Sequence, residues 1–74
     1  VGHSASFGRA DAVVAVAQNA ALADAAATAI GNRVKDAGDV ERVLGEERER
    51  AALAGLLIAF GRRIGAWGQL ELLR

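Results

Sequence analysis

The sequence predicts an α+β domain in which helices cover a mainly antiparallel sheet. The valine-rich run "AVVAVA" at 12–17 is typical of a buried strand, because β-branched side chains favour extended backbone. The alanine-rich stretch 20–30 has strong helix propensity. Near the end, two apolar runs flank Gly-Arg-Arg and predict a hairpin. The resulting order of strand, helix, helix and hairpin fits a layered α+β architecture.

The first half of the chain carries clear boundary signals. Ser4 to Phe7 alternate in polarity, which predicts an extended segment that ends at Gly8. Asn19 is placed to cap the alanine helix, and Gly31-Asn32 predicts a left-handed stop followed by Arg33 at the negative end of the helix dipole.

In the second half, Asp39 is the predicted N-cap of an amphipathic helix whose middle is weakened by Gly45. Gly55 is expected to end that helical region. Strands are then predicted at 56–60, 64–67 and 69–73, with a tight turn at 61–63 and a bulge at Gly68.

Composition excludes some partners. The formal net charge is zero, whereas a nucleic-acid-binding surface needs a basic excess, so we expect no nucleic acid. No apolar run is long enough to span a membrane, and no signal peptide is visible, so we expect a cytoplasmic protein.

The chain has a small core for its length. Of its 39 hydrophobic residues 18 are alanine, there is no cysteine, and the first residue is Val1. A core of this kind stabilises a short chain only marginally. We therefore expect residues 1–74 to be the C-terminal portion of one larger domain, whose N-terminal remainder is a further segment or a separate chain. Strand 12–17 or the 56–67 hairpin would then pair with a strand from that remainder or, in a homo-oligomer, from another copy.

Asp24 and Thr28 are four residues apart in the alanine helix and therefore face the same side. Hard oxygen ligands on a rigid helix suit Mg²⁺, which takes one or two protein oxygens together with phosphates and water. A structural role is the alternative: Asp24 could bond a loop amide or pair with Arg9 or Arg33, and Thr28 could bond back to the Asp24 carbonyl.

The segment "ADAAATA" at 23–29 resembles the Ala-Asp-Ala-x-x-Thr-Ala signature of the ApbE-type FAD:protein FMN transferases. Three blocks, "GHSASFGRADAVVAVA", "ADAAATAIGNRV" and "IGAWGQLEL", resemble uncharacterised ApbE-related proteins in the same order. The resemblance implies an ApbE-like domain in which Asp24 and Thr28 bind the Mg²⁺ that holds the pyrophosphate of FAD.

The segment "GHSAS" offers a second set of candidate residues. A nucleophilic Ser-His pair is disfavoured because no carboxylate lies beside His3. Backbone N–H groups, hydroxyls and the imidazole could instead contact phosphate, which makes Gly2, His3, Ser4 and Ser6 the candidate nucleotide-binding residues. The alternative is a solvated chain end.

Three further positions have two interpretations each. Asp11 could cap a turn or face the same cavity as Asp24, Trp67 could pack in the core or stack on a flavin or adenine ring, and Arg62-Arg63 are expected to be solvated turn residues.

Two functions stay open at this point. In one, the protein binds FAD through Mg²⁺ and transfers FMN to a protein Ser or Thr. In the other, it is a non-catalytic nucleotide-binding or protein-interaction module. The second is favoured by a departure from the transferase pattern, since "GHSASFG" lacks the acidic residue and proline of their His-x-Ile-Asp-Pro segment.

Overall fold

A computed structural model describes residues 2–8 and 10–70 of the chain. The elements in order are β1 (Gly2–Ser6), β2 (Ala12–Ala17), α1 (Ala20–Arg33), α2 (Asp39–Arg50), β3 (Gly55–Phe60) and β4 (Arg63–Gly68). The strands form one antiparallel sheet in the order β1-β2-β3-β4. The predicted α+β class is confirmed.

Both helices lie on the same face of the sheet, with α1 against β1 and β2 and α2 against β3 and β4. Alternate strand residues point into this layer, and Val13, Leu56 and Ile58 are fully buried there. From α1, Ala23 and Ala27 complete the core with no exposed surface. Their small side chains let the helix lie close to the sheet.

Helix α1 begins where the sequence predicts, because Asn19 Oδ1 accepts a hydrogen bond of 2.8 Å from the Leu22 N–H. The predicted stop at Gly31-Asn32 is wrong, since the helix continues to Arg33 and Gly31 has no positive φ. Gly31 is buried, and a Cβ added there would lie 3.7 Å from Ser6 Oγ and 3.8 Å from a Val13 methyl. The glycine therefore serves close packing of helix on sheet.

Helix α2 differs from its prediction at its start. Asp39 is its first residue and Gly38 its N-cap, while the Asp39 side chain accepts a 2.9 Å hydrogen bond from the Lys35 N–H outside the helix. Gly45 does not interrupt the helix, which ends at Arg50 where Ala51 takes a left-handed φ of 59°. Gly55 then begins β3.

The hairpin of β3 and β4 is confirmed, with Gly61 at φ 61° in its turn. Of the two expected pairings with another segment, that of strand 12–17 is wrong, because β2 is bonded to β1 on one side and β3 on the other. Pairing through the 56–67 hairpin stays a prediction, since β4 is an edge strand of the sheet. Of the strand predicted at 69–73, residues 69 and 70 are not extended sheet and 71–73 lie outside the described residues. None of the described helices is both long and apolar enough to cross a membrane.

Candidate functional site

The flank of α1 beside the edge strand β1 carries the two candidate metal ligands. Asp24 and Thr28 are both exposed, one helical turn apart, next to the buried residues Ala23 and Ala27. The Asp24 carboxylate is therefore accessible from solvent and is not enclosed in the alanine-packed core. This exposure leaves the carboxylate accessible to a cation.

Strand β1 contributes hydroxyl groups to the same side. Residues two apart on a strand share a face, and Gly2, Ser4 and Ser6 are the positions of β1 that face α1. Ser4 Oγ donates a hydrogen bond of 3.2 Å to Asp24 Oδ1. Ser6 Oγ lies against the backbone of Gly31.

Helix and strand run side by side in the same direction along this edge. Their contacts step from Gly2 with Ala20, through Ser4 with Asp24, to Ser6 with Gly31. Because Thr28 lies on α1 between Asp24 and Gly31, its position along the helix axis falls between the positions of Ser4 and Ser6. We call Ser4, Ser6, Asp24 and Thr28 the polar strip. All four side chains carry oxygen atoms that could contact a metal ion or a phosphate.

The alternative ion-pair role of Asp24 with Arg33 is wrong. Arg33 bonds Glu46 and Glu47 of α2 instead. Within residues 2–8 and 10–70, no ion pair includes Asp24 and no hydrogen bond from Thr28 returns to the Asp24 carbonyl. Arg9, the other suggested partner, lies outside the described residues.

Gly2 and His3 occupy different surroundings from the serines. The segment "GHSAS" is a strand, in line with the predicted extended segment, and its alternation turns the exposed His3 to the face of the sheet opposite Asp24. Gly2 is buried because the Ala20 N–H and the Asn19 carbonyl carbon approach it so closely that no Cβ would fit. Gly2 therefore has a packing role, and nucleotide contact by Gly2 or His3 stays a prediction.

The structural interpretations of Asp11 as a turn cap and of Trp67 as a core residue are confirmed. Asp11 Oδ2 accepts a 2.7 Å hydrogen bond from Gly61 N–H and so caps the β3–β4 turn. Trp67 is half-buried against the core, and its Nε1 donates a 3.0 Å hydrogen bond to the Leu44 carbonyl. Of the two turn arginines, Arg63 is not simply solvated, since it pairs with Glu41 at 2.6 Å.

Glu47 is a buried charged residue that the sequence did not lead us to predict. Its side chain is 4% exposed, and its Oε2 pairs with Arg33 at 2.5 Å and Arg50 at 3.6 Å. A signal was present, because Glu47 follows Val43 by four residues and Leu44 by three on the apolar stripe of α2. These three charges border an apolar cleft of about 230 Å³ on the far side of α1 from the polar strip.

A family model described as AbpE bacteria matches residues 1–55, a range that contains β1, β2 and both helices. The chain belongs to this family. The polar strip of this AbpE bacteria member lies entirely within the matched residues.

Relatives of this AbpE bacteria chain carry the name UPF0280 protein. One from Methanococcus aeolicus is 39% identical over 72 residues, which is 95% of this chain and 29% of the relative. One from Methanosarcina barkeri is 42% identical over 71 residues, 95% of this chain and 28% of the relative. One from Archaeoglobus fulgidus is 56% identical over 41 residues, 55% of this chain and 18% of the relative.

The chain thus spans less than a third of the length of these relatives. No solved structure gives a significant match.

Proposed function

We propose that this chain supplies the Mg²⁺ and pyrophosphate contacts of an ApbE-like protein that binds a flavin nucleotide. Asp24 and Thr28 are the proposed metal ligands, and Ser4 and Ser6 the proposed phosphate contacts. The observation that carries the proposal is the exposed Asp24 carboxylate, held by Ser4 Oγ and one turn from Thr28. It falls in the helix segment that resembles the transferase signature.

The donor chemistry of the polar strip fits Mg²⁺ better than a softer metal. Its four side chains offer only oxygen, and a single carboxylate with a hydroxyl matches the way Mg²⁺ is bound through one or two protein ligands plus phosphate. In the part of the chain that the structure describes, no group of three or more His, Asp or Glu side chains could form an all-protein cage. A site of this kind depends on the substrate for its remaining ligands.

Charge explains why the cation is needed. A pyrophosphate placed against Asp24 alone would be repelled, and a bound Mg²⁺ would supply positive charge that offsets most of the negative charge of the two groups. The chain's own residues orient the assembly. Ser4 fixes the Asp24 carboxylate through its hydrogen bond, and Thr28 lies one helical turn from Asp24 on α1.

In the transferase version, the oxygen of an acceptor Ser or Thr forms a bond to the FMN phosphorus as the pyrophosphate bond breaks, and AMP leaves. Charge stabilisation at the phosphates is the contribution expected of Mg²⁺ in such transfers. The non-catalytic module is the second candidate, and it is favoured by the missing acidic residue and proline in "GHSASFG". A nucleotide-binding module would use the same metal and nucleotide contacts, whereas a protein-interaction module would not.

Calorimetric titration of FAD tests the binding step. The titration uses this chain and a chimera in which it replaces the matching segment of the Methanosarcina barkeri relative. We expect FAD to bind in the presence of Mg²⁺ and to bind more weakly when a chelator removes the metal. The Asp24→Asn variant should lose this dependence of FAD affinity on Mg²⁺. Asp36→Asn is the matched control, because Asp36 is an exposed loop carboxylate away from the polar strip.

Equal FAD binding by the Asp24→Asn variant and the unmodified protein, with and without Mg²⁺, would contradict the metal role. Transfer is assayed separately, as covalent flavin on an acceptor protein together with released AMP. Binding without either product would favour the non-catalytic module.

A further inference from the structure

The face of the sheet away from the helices has an unusual composition. Strand alternation and the pairing register place one set of side chains on it, which we call the open face. From β1 to β4 its members are His3, Ala5, Ala12, Val14, Val16, Leu57, Ala59, Ile64 and Ala66.

The open face has one apolar row across all four strands and a second across β2, β3 and β4. Ala5, Val14, Leu57 and Ala66 are consecutive partners in one row, and Ala12, Ala59 and Ile64 are consecutive partners in the next. His3 at the edge strand is the one polar member of the face. Antiparallel sheets with a solvated face normally alternate apolar and polar residues, so a face without charge across four strands is typical of a buried surface.

Exposure shows that the described residues leave much of this face uncovered. Ile64 is 65% exposed, and Phe7, which follows β1, is 76% exposed. Ala5 and Ala66 are exposed as well. Both helices pack on the other face, where α2 contacts Gly65 and α1 contacts Ser6 and Val13. Contiguous apolar surfaces of this kind mark interaction sites in proteins.

The lengths of the relatives indicate what covers the face. In the Methanococcus aeolicus relative, 95% of this chain corresponds to 29% of the polypeptide, so more than two thirds of that polypeptide lies outside the match. The two helices of this chain already complete one layer. A sheet with one covered face and one apolar face needs a second layer, and the family's polypeptide has ample length to form it.

We propose that the open face is the docking surface for the rest of the family's polypeptide. The occupant is an apolar layer that packs on Val14, Leu57 and Ile64 and brings no unpaired charge against them, because a charge buried there would have no partner. His3 lies at the rim of this contact, beside the edge strand. The open face and the polar strip are on opposite faces of β1, so this inference is independent of nucleotide binding.

Cysteine labelling tests the proposal, and the absence of cysteine from this chain makes single probes specific. Ala66→Cys places a thiol on the open face, and Glu49→Cys places the control thiol on the exposed side of α2. Each is introduced into the chain alone and into the chimera with the Methanosarcina barkeri relative, with any cysteine of the relative replaced.

In the chain alone, both thiols should react with a maleimide reagent at comparable rates. In the chimera the Ala66→Cys thiol should react at least about tenfold more slowly than the control, because labelling then requires local opening of a packed interface. Equal rates in the chimera would overturn the proposal. So would protection of Ala66→Cys in the chain alone at concentrations where sedimentation shows a dimer, since the occupant would then be a second copy.

The same pair of cysteines at the aligned positions of the complete Methanosarcina barkeri relative gives an independent measurement that does not depend on folding of the chimera. Slow labelling at the position aligned with Ala66 would support the proposal, and rapid labelling there would overturn it.

Discussion

At the scale of single residues, the clearest energetic feature is the buried carboxylate of Glu47. Arg33 donates to it from α1, and this hydrogen bond is the main cause that raises the pKa of the Arg33 guanidinium. The pair joins two helices that otherwise touch little, since the sheet makes most of their contacts. A buried charge with its partners is tolerated, whereas loss of one partner leaves the other incompletely satisfied.

Glu47→Ala should therefore lower the free energy of unfolding by about 2–3 kcal/mol, because it removes a buried charged hydrogen bond and leaves space in the cleft. Glu49→Ala, an exposed change on the same helix, should stay within about 0.5 kcal/mol of the unmodified chain. Urea unfolding of the chimera with each substitution, followed by circular dichroism, measures both. Equal losses for the two variants would show that the Arg33–Glu47 pair contributes no stability.

Residue spacing was sufficient to place Asp24 and Thr28 together, because i,i+4 geometry is local. It could not supply the Ser4 contact, which joins residues 20 positions apart. Residue spacing also did not predict that His3 and Ser4 would face opposite ways relative to α1. A five-residue segment of this composition is compatible with a strand and with a phosphate-binding loop.

At the scale of the elements, two glycines have opposite roles. Gly2 lies where β1 meets the first turn of α1, and a Cβ there would overlap backbone atoms of Asn19 and Ala20. Gly45 lies inside α2, is exposed, and has nothing within 4 Å of an added Cβ. One glycine is needed for close approach, and the other only weakens a helix.

Gly2→Ala should destabilise the chain by about 1–3 kcal/mol through overpacking, while Gly45→Ala should stabilise it by about 0.5–1 kcal/mol by restricting the unfolded chain. In the chimera with the Methanosarcina barkeri relative, which is expected to melt cooperatively, each kcal/mol shifts the Tm by about 2–4 °C. Thermal melts of the chimera with each substitution, against the unmodified chimera, therefore resolve the two signs. A Tm that rises in Gly2→Ala would contradict the close contact between β1 and α1.

The elements that the sequence predicted well carry local signals: the Asn19 cap, the alanine helix and the two-strand hairpin. The helix end was predicted too early at Gly31, because the sequence does not distinguish a glycine that ends a helix from one at a helix–sheet contact. The strand order was likewise not predictable, since β2 finds its second partner beyond both helices.

At the scale of the whole molecule, one face of the sheet is packed and the other is open. The packed side relies on many alanines, which bury little apolar area each. On the open face Val16 is buried, but Ala5, Ile64 and Ala66 stay exposed until the face is covered. The stability of the chain alone should therefore be low in comparison with that of a complete family member.

We expect the isolated chain to unfold weakly and without a sharp transition on heating, and the chimera with the Methanosarcina barkeri relative to melt cooperatively. Differential scanning calorimetry measures both, and the ratio of calorimetric to van't Hoff enthalpy reports cooperativity. A sharp two-state melt of the monomeric isolated chain would show that the helix-covered layer is sufficient by itself.

The pairing of β2 with β3 also has a consequence for the order of assembly. Two of the three strand pairs are local hairpins, whereas β2 and β3 meet only after the chain has passed through α1 and α2. Closing the loop of residues 18–54 costs roughly 2 kcal/mol more chain entropy than closing a hairpin loop of about four residues. The hairpins and helices can form before that cost is met, so we expect closure of the β2–β3 seam to set the folding rate. Asp11, which reaches 50 positions along the chain to Gly61, then holds the closed seam in register.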